Sequence, residues 1–221
     1  MDPPRNKTLI QTTLPGTAPV EISGITILSS LPVGQTELIL LQGDITRLEI
    51  DAIVNAANSS LMGGGGVDGA IHSKGGSLLT AECKQLRGCE TGEVKLTKGY
   101  NLPSKTVLHT VGPIIRSSRH LDPQSLTACY SNSLLLCEQF GLESVAFPCI
   151  SCGVYGYPNK EAAVTAFAAV QAHLQAHPQT VLRRIIFCCF EDDNVAAYLP
   201  HFPATHFTQT FSNRKKTRFW R

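Results

Sequence analysis

The chain has 221 residues, 43% of them hydrophobic and only 16% charged, with a formal net charge of +2. That length fits one large domain, and the apolar share is enough to fill a core. So even a charge balance gives no global electrostatic case for nucleic acid, and no window is long and apolar enough to span a membrane, so no membrane partner is expected.

Eight cysteines would suit a secreted disulfide scaffold, but the opening MDPPRNKTLI has no apolar signal core. Cys137 lies in SLLLCEQF and Cys188 and Cys189 lie in IIFCCF, runs in which a free cysteine behaves as a small buried hydrophobe. The setting expected is reduced and intracellular, cytoplasmic or nuclear.

In chain order, residues 1–35 are rich in Pro, Thr and Gly and read as an extension, with an edge strand at Ile25–Leu28. A β run follows at Glu37–Gln42 and another at Ala52–Asn55, leading into the polar and glycine stretch Ala56–Gly66. From Val67 to Leu86 the apolar spacing is helical. Gly92–Tyr100 and Thr106–Val111 read as strands, Leu121–Phe140 as a helix and Ser144–Cys149 as an apolar strand. Asn159–Ala176 is an alanine-rich helix bounded by Pro158 and Pro178. Arg184–Phe190 is a continuous apolar strand, consistent with burial on both faces, and Asp192–Leu199 a short final helix. Strands alternating with helices predict an α/β layer fold around a largely parallel sheet. The domain so defined covers 36–204. The basic residues Arg214, Lys215, Lys216, Arg218 and Arg221 form a tail over 205–221 that reads as solvated.

Ligands of open α/β sheets bind beyond the carboxyl ends of the strands. There this chain carries Gly43-Asp44-Ile45-Thr46, Asn55-Ala56-Ala57-Asn58 followed by Gly63 to Asp68, Ser151 to Gly156, and Phe190-Glu191-Asp192-Asp193. Four successive glycines, Gly63 to Gly66, expose backbone N–H groups, permit close approach and open a helix whose N-terminus favours anions. A phosphate cradle is preferred here over a merely flexible loop. Ser151 to Gly156 is a second loop of small residues, with Tyr155 projecting beside Gly156; two such loops suit the two phosphates of a diphosphate.

Gly64, Gly66 and Gly69 satisfy the G-x-G-x-x-G spacing, but seven residues separate Asn55 from Gly63, whereas in the dinucleotide fingerprint the glycines follow the strand at once. A nicotinamide oxidoreductase is disfavoured accordingly. Cys149 and Cys152 form a C-x-x-C without a second pair, and Cys188 and Cys189 point to opposite faces of a strand. The motif reads as coincidental, and neither a metal nor a cofactor is expected. Asp68 and His72 share one helical face and either orient a water or a sugar hydroxyl or serve as a helix-end acid and a surface histidine. Asn58 is a donor to a ribose hydroxyl or a loop anchor. Asp44 is an acceptor for an adenine amino group or a turn cap. His109, in an apolar strand, reads as a satisfied core histidine.

Together GDIT (43–46), DAIVNAANSSLMGGGGVDGAIH (51–72), CETGEVKLTKGYNLP (89–103), VLHTVGP (107–113) and FPCISCGVYGYP (147–158) resemble the macrodomain family, specifically its MacroD-type branch, from about residue 36 to 200. The resemblance implies a three-layer α/β/α sandwich around a mixed, largely parallel sheet, with an ADP-ribose cleft at one end. It implies that Asp44 and Ile45 meet the adenine, with Phe190 packing on it. Gly64, Gly65, Gly66 and Val67 would line one side of the diphosphate and distal ribose. Ser151, Cys152, Gly153, Val154, Tyr155 and Gly156 would line the other, Cys152 standing where threonine or alanine is more familiar. Asn58 and Asp68 would contact the distal ribose, with His72 nearby. The activity implied is removal of mono-ADP-ribose from acidic side chains of modified proteins, together with deacetylation of O-acetyl-ADP-ribose. A non-catalytic reader of ADP-ribosylated proteins is the first alternative; Asn58, Asp68 and His72, present as a set, argue for catalysis.

Overall fold

The apolar runs become strands of one sheet. The computed structural model describes residues 20–22, 24–115 and 121–202. In chain order these form β1 (Val20–Ile22), β2 (Ile25–Val33), β3 (Thr36–Gln42), β4 (Ala52–Ala57), α1 (Gly66–Gly75), α2 (Ser77–Leu86), β5 (Val94–Lys98) and β6 (Thr106–Val111). Then follow α3 (Pro123–Phe140), β7 (Ser144–Phe147), α4 (Asn159–Ala176), β8 (Arg184–Cys189) and α5 (Asp192–Tyr198). The eight strands lie in the order β1-β2-β3-β8-β7-β4-β6-β5. The five from β3 to β6 run parallel, while β1, β2 and β5 are antiparallel additions at the edges.

Side-chain alternation sorts the sheet's two faces. Ala52 and Val54 of β4 and Ile185, Phe187 and Cys189 of β8 join α3, α4 and α5 in one core. Ile53 and Ala57, with Ile186 and Cys188, join α1 and α2 in the other. This is the expected three-layer arrangement, and the expected opposition of Cys188 and Cys189 holds. Ile185 and Ile186 are both fully buried, each contributing about 1.5–3 kcal/mol. Four buried alanines on α4, Ala162, Ala163, Ala166 and Ala169, let that helix lie close to the sheet. Asp122 caps α3 by accepting from the Ser125 amide at 2.9 Å.

Three sequence expectations change. Residues ahead of 36 enter the sheet: β2 runs nine residues rather than four, pairs with β3 along its length, and buries Ile25 and Ile27. The single helix expected over 67–86 is two helices, broken at Gly76, whose φ of 81° lies where only glycine is unstrained. The strand expected over 92–100 contracts to Val94–Lys98. Residues 1–19 and the basic tail fall outside the described residues. Among the described residues no helix is long and apolar enough to cross a membrane.

Candidate functional site

Because β3, β8, β7, β4 and β6 are parallel, the segments that follow them all leave from one edge of the sheet. That edge collects Asp44, Phe190, the Ser151–Gly156 loop, the Asn58–Gly66 loop and Gly112.

The glycine loop is exposed from Gly64 to Gly66, and a Cβ on Gly65 or Gly66 would meet nothing within 4 Å. α1 begins here with Gly65 at its N-cap and no side chain capping it. Its first N–H groups therefore have no side-chain cap, and the space beside Gly65 and Gly66 is open, which suits an anion. Gly69 permits the fold-back, since a Cβ there would stand 2.5 Å from the Gly64 carbonyl oxygen.

Behind the loop sits Asp68, a carboxylate only 4% exposed. Asn55 Nδ2 donates to its Oδ1 at 2.8 Å. Asn58 Nδ2 donates to the Gly63 carbonyl at 2.8 Å and, at 3.4 Å, to Asp68 Oδ2, while its Oδ1 accepts from the Ser60 amide and hydroxyl. Asn58 is thus both loop anchor and carboxylate partner. Burial raises the Asp68 carboxyl above its ordinary value, although the Asn55 amide and His72 pull the other way. His72 Nε2 stands 3.5 Å from Asp68 Oδ1, and its Nδ1 is 3.1 Å from Thr80 Oγ1. Oδ2 is the less engaged oxygen, and it faces Gly64.

The second loop is held by backbone bonds, Gly156 N to Gly153 O, Tyr157 N to Ser151 O, and Ile115 N to Tyr155 O. Ser151 is buried, with a φ of 65°, and fits only because residue 112 is glycine: a Cβ there would collide with Ser151 Oγ. Gly153 is open, and Val154 is 98% exposed. Burial raises the Tyr155 phenol, and so does the Asp68 carboxylate, which brings the two loops into one electrostatic environment. Cys152 sits half-buried, its thiol donating to the Ile150 carbonyl.

On the third side Asp44 Oδ1 accepts from the Thr46 amide at 3.0 Å and hydroxyl at 2.5 Å, and Oδ2 pairs with Lys74 at 3.3 Å. Burial alone would raise its carboxyl, but these partners outweigh it and hold it below its ordinary value. Ile45 turns its side chain into the core at 5% exposure, leaving backbone for a ligand, whereas Phe190 stands 68% exposed at the rim. Val67 is half-buried against the α1–α2 core.

Five buried side-chain polar atoms lack a partner among the described residues, and three belong to this edge: Asn55 Oδ1, His72 Nε2 and Ser151 Oγ. Orphaned polar atoms are uncommon in native interiors, so their concentration marks a place built to receive something polar. The residues best placed for a metal among those described are His72, Cys83 and His109, whose ligand atoms lie within 4.8 Å of one another. The C-x-x-C pair does not close on itself: Cys149 donates to Cys189 at 3.7 Å instead.

Reading from sequence missed Asn55 and, in part, His109. His109 is buried, as expected for a core histidine, but it also contacts Asn55 at 3.1 Å. The available signal was polar: an asparagine inside the apolar run Ala52–Ala57.

A family model described as Macro domain matches residues 54–166. A protein of Mus musculus named ADP-ribose glycohydrolase MACROD1 is 53% identical over 167 residues, covering 74% of this chain and 51% of its own length. The chain thus spans about half of that relative. A macro domain-containing protein of Ralstonia nicotianae is 48% identical over 168 residues, 76% of this chain and 95% of its own. Among solved structures, the Oceanobacillus iheyensis macrodomain with ADP matches at a TM-score of 0.74 and 38% identity, covering 80% of this chain and 95% of that one. The Trypanosoma brucei macrodomain in complex with ADP-ribose matches at 0.70 and 45%, covering 74% and 68%.

Proposed function

The chain belongs to the macrodomain family, and from that premise we propose that it is a hydrolase that binds ADP-ribose and removes mono-ADP-ribose from acidic side chains of modified proteins, also deacetylating O-acetyl-ADP-ribose. The observation that carries the reading is Asp68. It is a buried carboxylate with one oxygen fixed by Asn55 and the other turned toward an exposed glycine loop. The mouse relative's description as an ADP-ribose glycohydrolase and the ADP-ribose held by the trypanosomal macrodomain support it.

The chemistry follows from this placement. The diphosphate takes the uncapped amides of Gly64 to Val67 at the start of α1, with Ser151 to Gly156 on the opposite side. Asp44 accepts from the adenine amino group. Asn58 and Asp68 then meet the distal ribose, where the ester lies. A water held between ribose and phosphate attacks the ester carbonyl carbon and gives a proton to Asp68 or to the phosphate. The bond from that carbon to the ribose oxygen then breaks, the ribose oxygen takes the proton back to leave as a hydroxyl, and the acid is released as a carboxylate. Glutamyl, aspartyl and acetyl groups are all carboxylic esters of the distal ribose, so attack at the carbonyl carbon with proton return to the ribose oxygen serves all three. Most of the acceleration comes from holding water and ester in line, an effect worth several kcal/mol or more. Burial suits Asp68 to the proton transfer, because a base works best with a pKa near the operating pH. The setting proposed is intracellular, cytoplasmic or nuclear, supported by buried thiols such as Cys83, Cys129 and Cys137 that pack as apolar side chains.

The test is to incubate the protein with a glutamate-ADP-ribosylated protein, and separately with O-acetyl-ADP-ribose, and follow released ADP-ribose. Release from both is expected. Tight binding of the modified protein without release would make the chain a reader.

A further inference from the structure

We propose that His109 is a positioning residue for Asp68: it orients the Asn55 carboxamide, and Asn55 in turn holds the carboxylate that faces the glycine loop. The proposal rests on the hydrolytic reading of Asp68.

Asn55 and His109 are register partners on the parallel strands β4 and β6, on the face that α1 and α2 cover. The Asn55 amide nitrogen has two protons. One goes to Asp68 Oδ1 at 2.8 Å and the other to His109 Nδ1 at 3.1 Å. Turning the amide over would set its carbonyl against the carboxylate, so the orientation is fixed by charge. An amide N–H only donates, hence His109 Nδ1 carries no proton and Nε2 does. On that side the acceptors are waiting: Thr97 Oγ1 at 2.9 Å and Cys83 Sγ at 3.6 Å. Thr97 passes its own proton to the Lys98 carbonyl at 3.1 Å. Donation therefore runs outward from Asn55, one way to Asp68 and the other way through His109 and Thr97 to the Lys98 carbonyl.

His109 is fully buried, and burial, reinforced by His72, lowers its pKa to about 3. It stays neutral in a single tautomer throughout the range in which an enzyme works. Without its acceptor, the Asn55 amide still faces Asp68 but nothing holds its second proton, and its broad side-chain torsion lets the donor tilt away from Oδ1.

The same atoms invite a metal reading, with His72, Cys83 and His109 as ligands. The nitrogen that His109 turns toward Cys83 is the protonated one, and Thr97 already receives that proton. Burial, together with Asp68 and Glu82, pushes the Cys83 thiol up to about 11, away from the thiolate a metal needs. The titratable groups facing Asp68 are His72 from α1, Cys83 from α2, His109 from β6 and Tyr155 from the second loop. None of these four stands in hydrogen-bond geometry with it; Asn55 and Asn58 do.

The experiment compares His109→Leu, His109→Asn and Thr97→Val with the parent. It follows the Asp68 carboxyl carbon by NMR across pH, with single-turnover release of ADP-ribose and ADP-ribose affinity in parallel. His109→Leu is expected to raise the Asp68 midpoint, move the acid limb of the rate profile to higher pH, and slow release by up to about a hundredfold, with affinity little changed. His109→Asn keeps an acceptor for Asn55 and should restore the parental midpoint and most of the rate. Thr97→Val, which should fold even if His109→Leu does not, is expected to shift the midpoint the same way by less. An unchanged midpoint in both His109→Leu and Thr97→Val, with only thermal stability lost, overturns the proposal. So does one equivalent of zinc bound by the parent and lost in Cys83→Ser, because it requires a bare Nε2. If the parent releases no ADP-ribose from any ester, the hydrolytic reading fails, and the NMR titration still decides the relay.

Discussion

Gly64 lies so close to Asp68 that a Cβ on Gly64 would stand 3.1 Å from Asp68 Oδ2 and 3.3 Å from Asn58 Nδ2. The backbone at Gly64 is not left-handed, so alanine is allowed there by φ, and any effect comes from pressing on the carboxylate. Gly64→Ala should fold with nearly parental Tm and lose about tenfold to a hundredfold in single-turnover release, the scale of a small misplacement at a reacting centre. A parental rate would mean that Oδ2 does not face the reacting ester.

Gly65 and Gly66 separate charge from strain. Both are open to a Cβ, but Gly66 has a φ of 60° and Gly65 does not share it. Gly65→Glu and Gly66→Glu should both abolish ADP-ribose binding in calorimetry by putting a like charge where the diphosphate sits. Only Gly66→Glu should also lose stability, by about 1–2 kcal/mol. Tight binding by Gly65→Glu would move the diphosphate elsewhere.

Asp68 should cost the fold stability. Its folded pKa is raised, by burial above all, so between the unfolded and folded values the folded chain holds the extra proton, and stability falls as pH climbs through that window. Asp68→Asn should therefore gain Tm relative to the parent as pH rises above the ordinary carboxylate value, while losing at least about a hundredfold in turnover. Equal turnover would return Asp68 to the role of a helix-end acid.

Asp44 has the opposite sign. Its folded pKa is lowered despite burial, through Thr46 and Lys74. The stability it contributes is present above its unfolded value and lost as pH falls through the folded one. Asp44→Asn should lower Tm at neutral pH more than under acid conditions. The effect should stay within about 1 kcal/mol, because Asp44 and Lys74 are partly exposed and screened. The same variant should weaken discrimination between ADP-ribose and its hypoxanthine counterpart. Unchanged discrimination would detach Asp44 from the adenine.

Legibility followed the range of the interactions. α4 spans Asn159–Ala176 as its flanking prolines foretold, and β6 spans Thr106–Val111 as its apolar run did. Asn58, Asp68 and the glycines lie within eleven positions of one another, so one helical turn and a loop suffice to bring them together. The helix break at Gly76 was readable in the Gly75-Gly76 pair but was masked by apolar spacing that continues across it. β2 was harder because its burial depends on a partner strand. The Asn55–His109 contact spans 54 residues and exists only through the register of β4 on β6, which no local pattern encodes. Gly112 is similar: its need for glycine comes from Ser151 in another loop.

The place of β8 has a consequence for how the molecule is made. β8 is the last strand among the described residues, yet it lies between β3 and β7 and pairs with both. Until residues 184–189 leave the ribosome, β1, β2 and β3 have no strand pairing with the other described strands, and Asp44 is tied to the helix of Asp68 only through the exposed side chain of Lys74. Gln35 and Thr36 likewise wait for the carbonyls of Thr180 and Leu182, some 145 positions later. Closing such long-range pairs is slow, so a nascent or truncated chain ending before β8 carries every residue of the glycine loop and still has no assembled cleft.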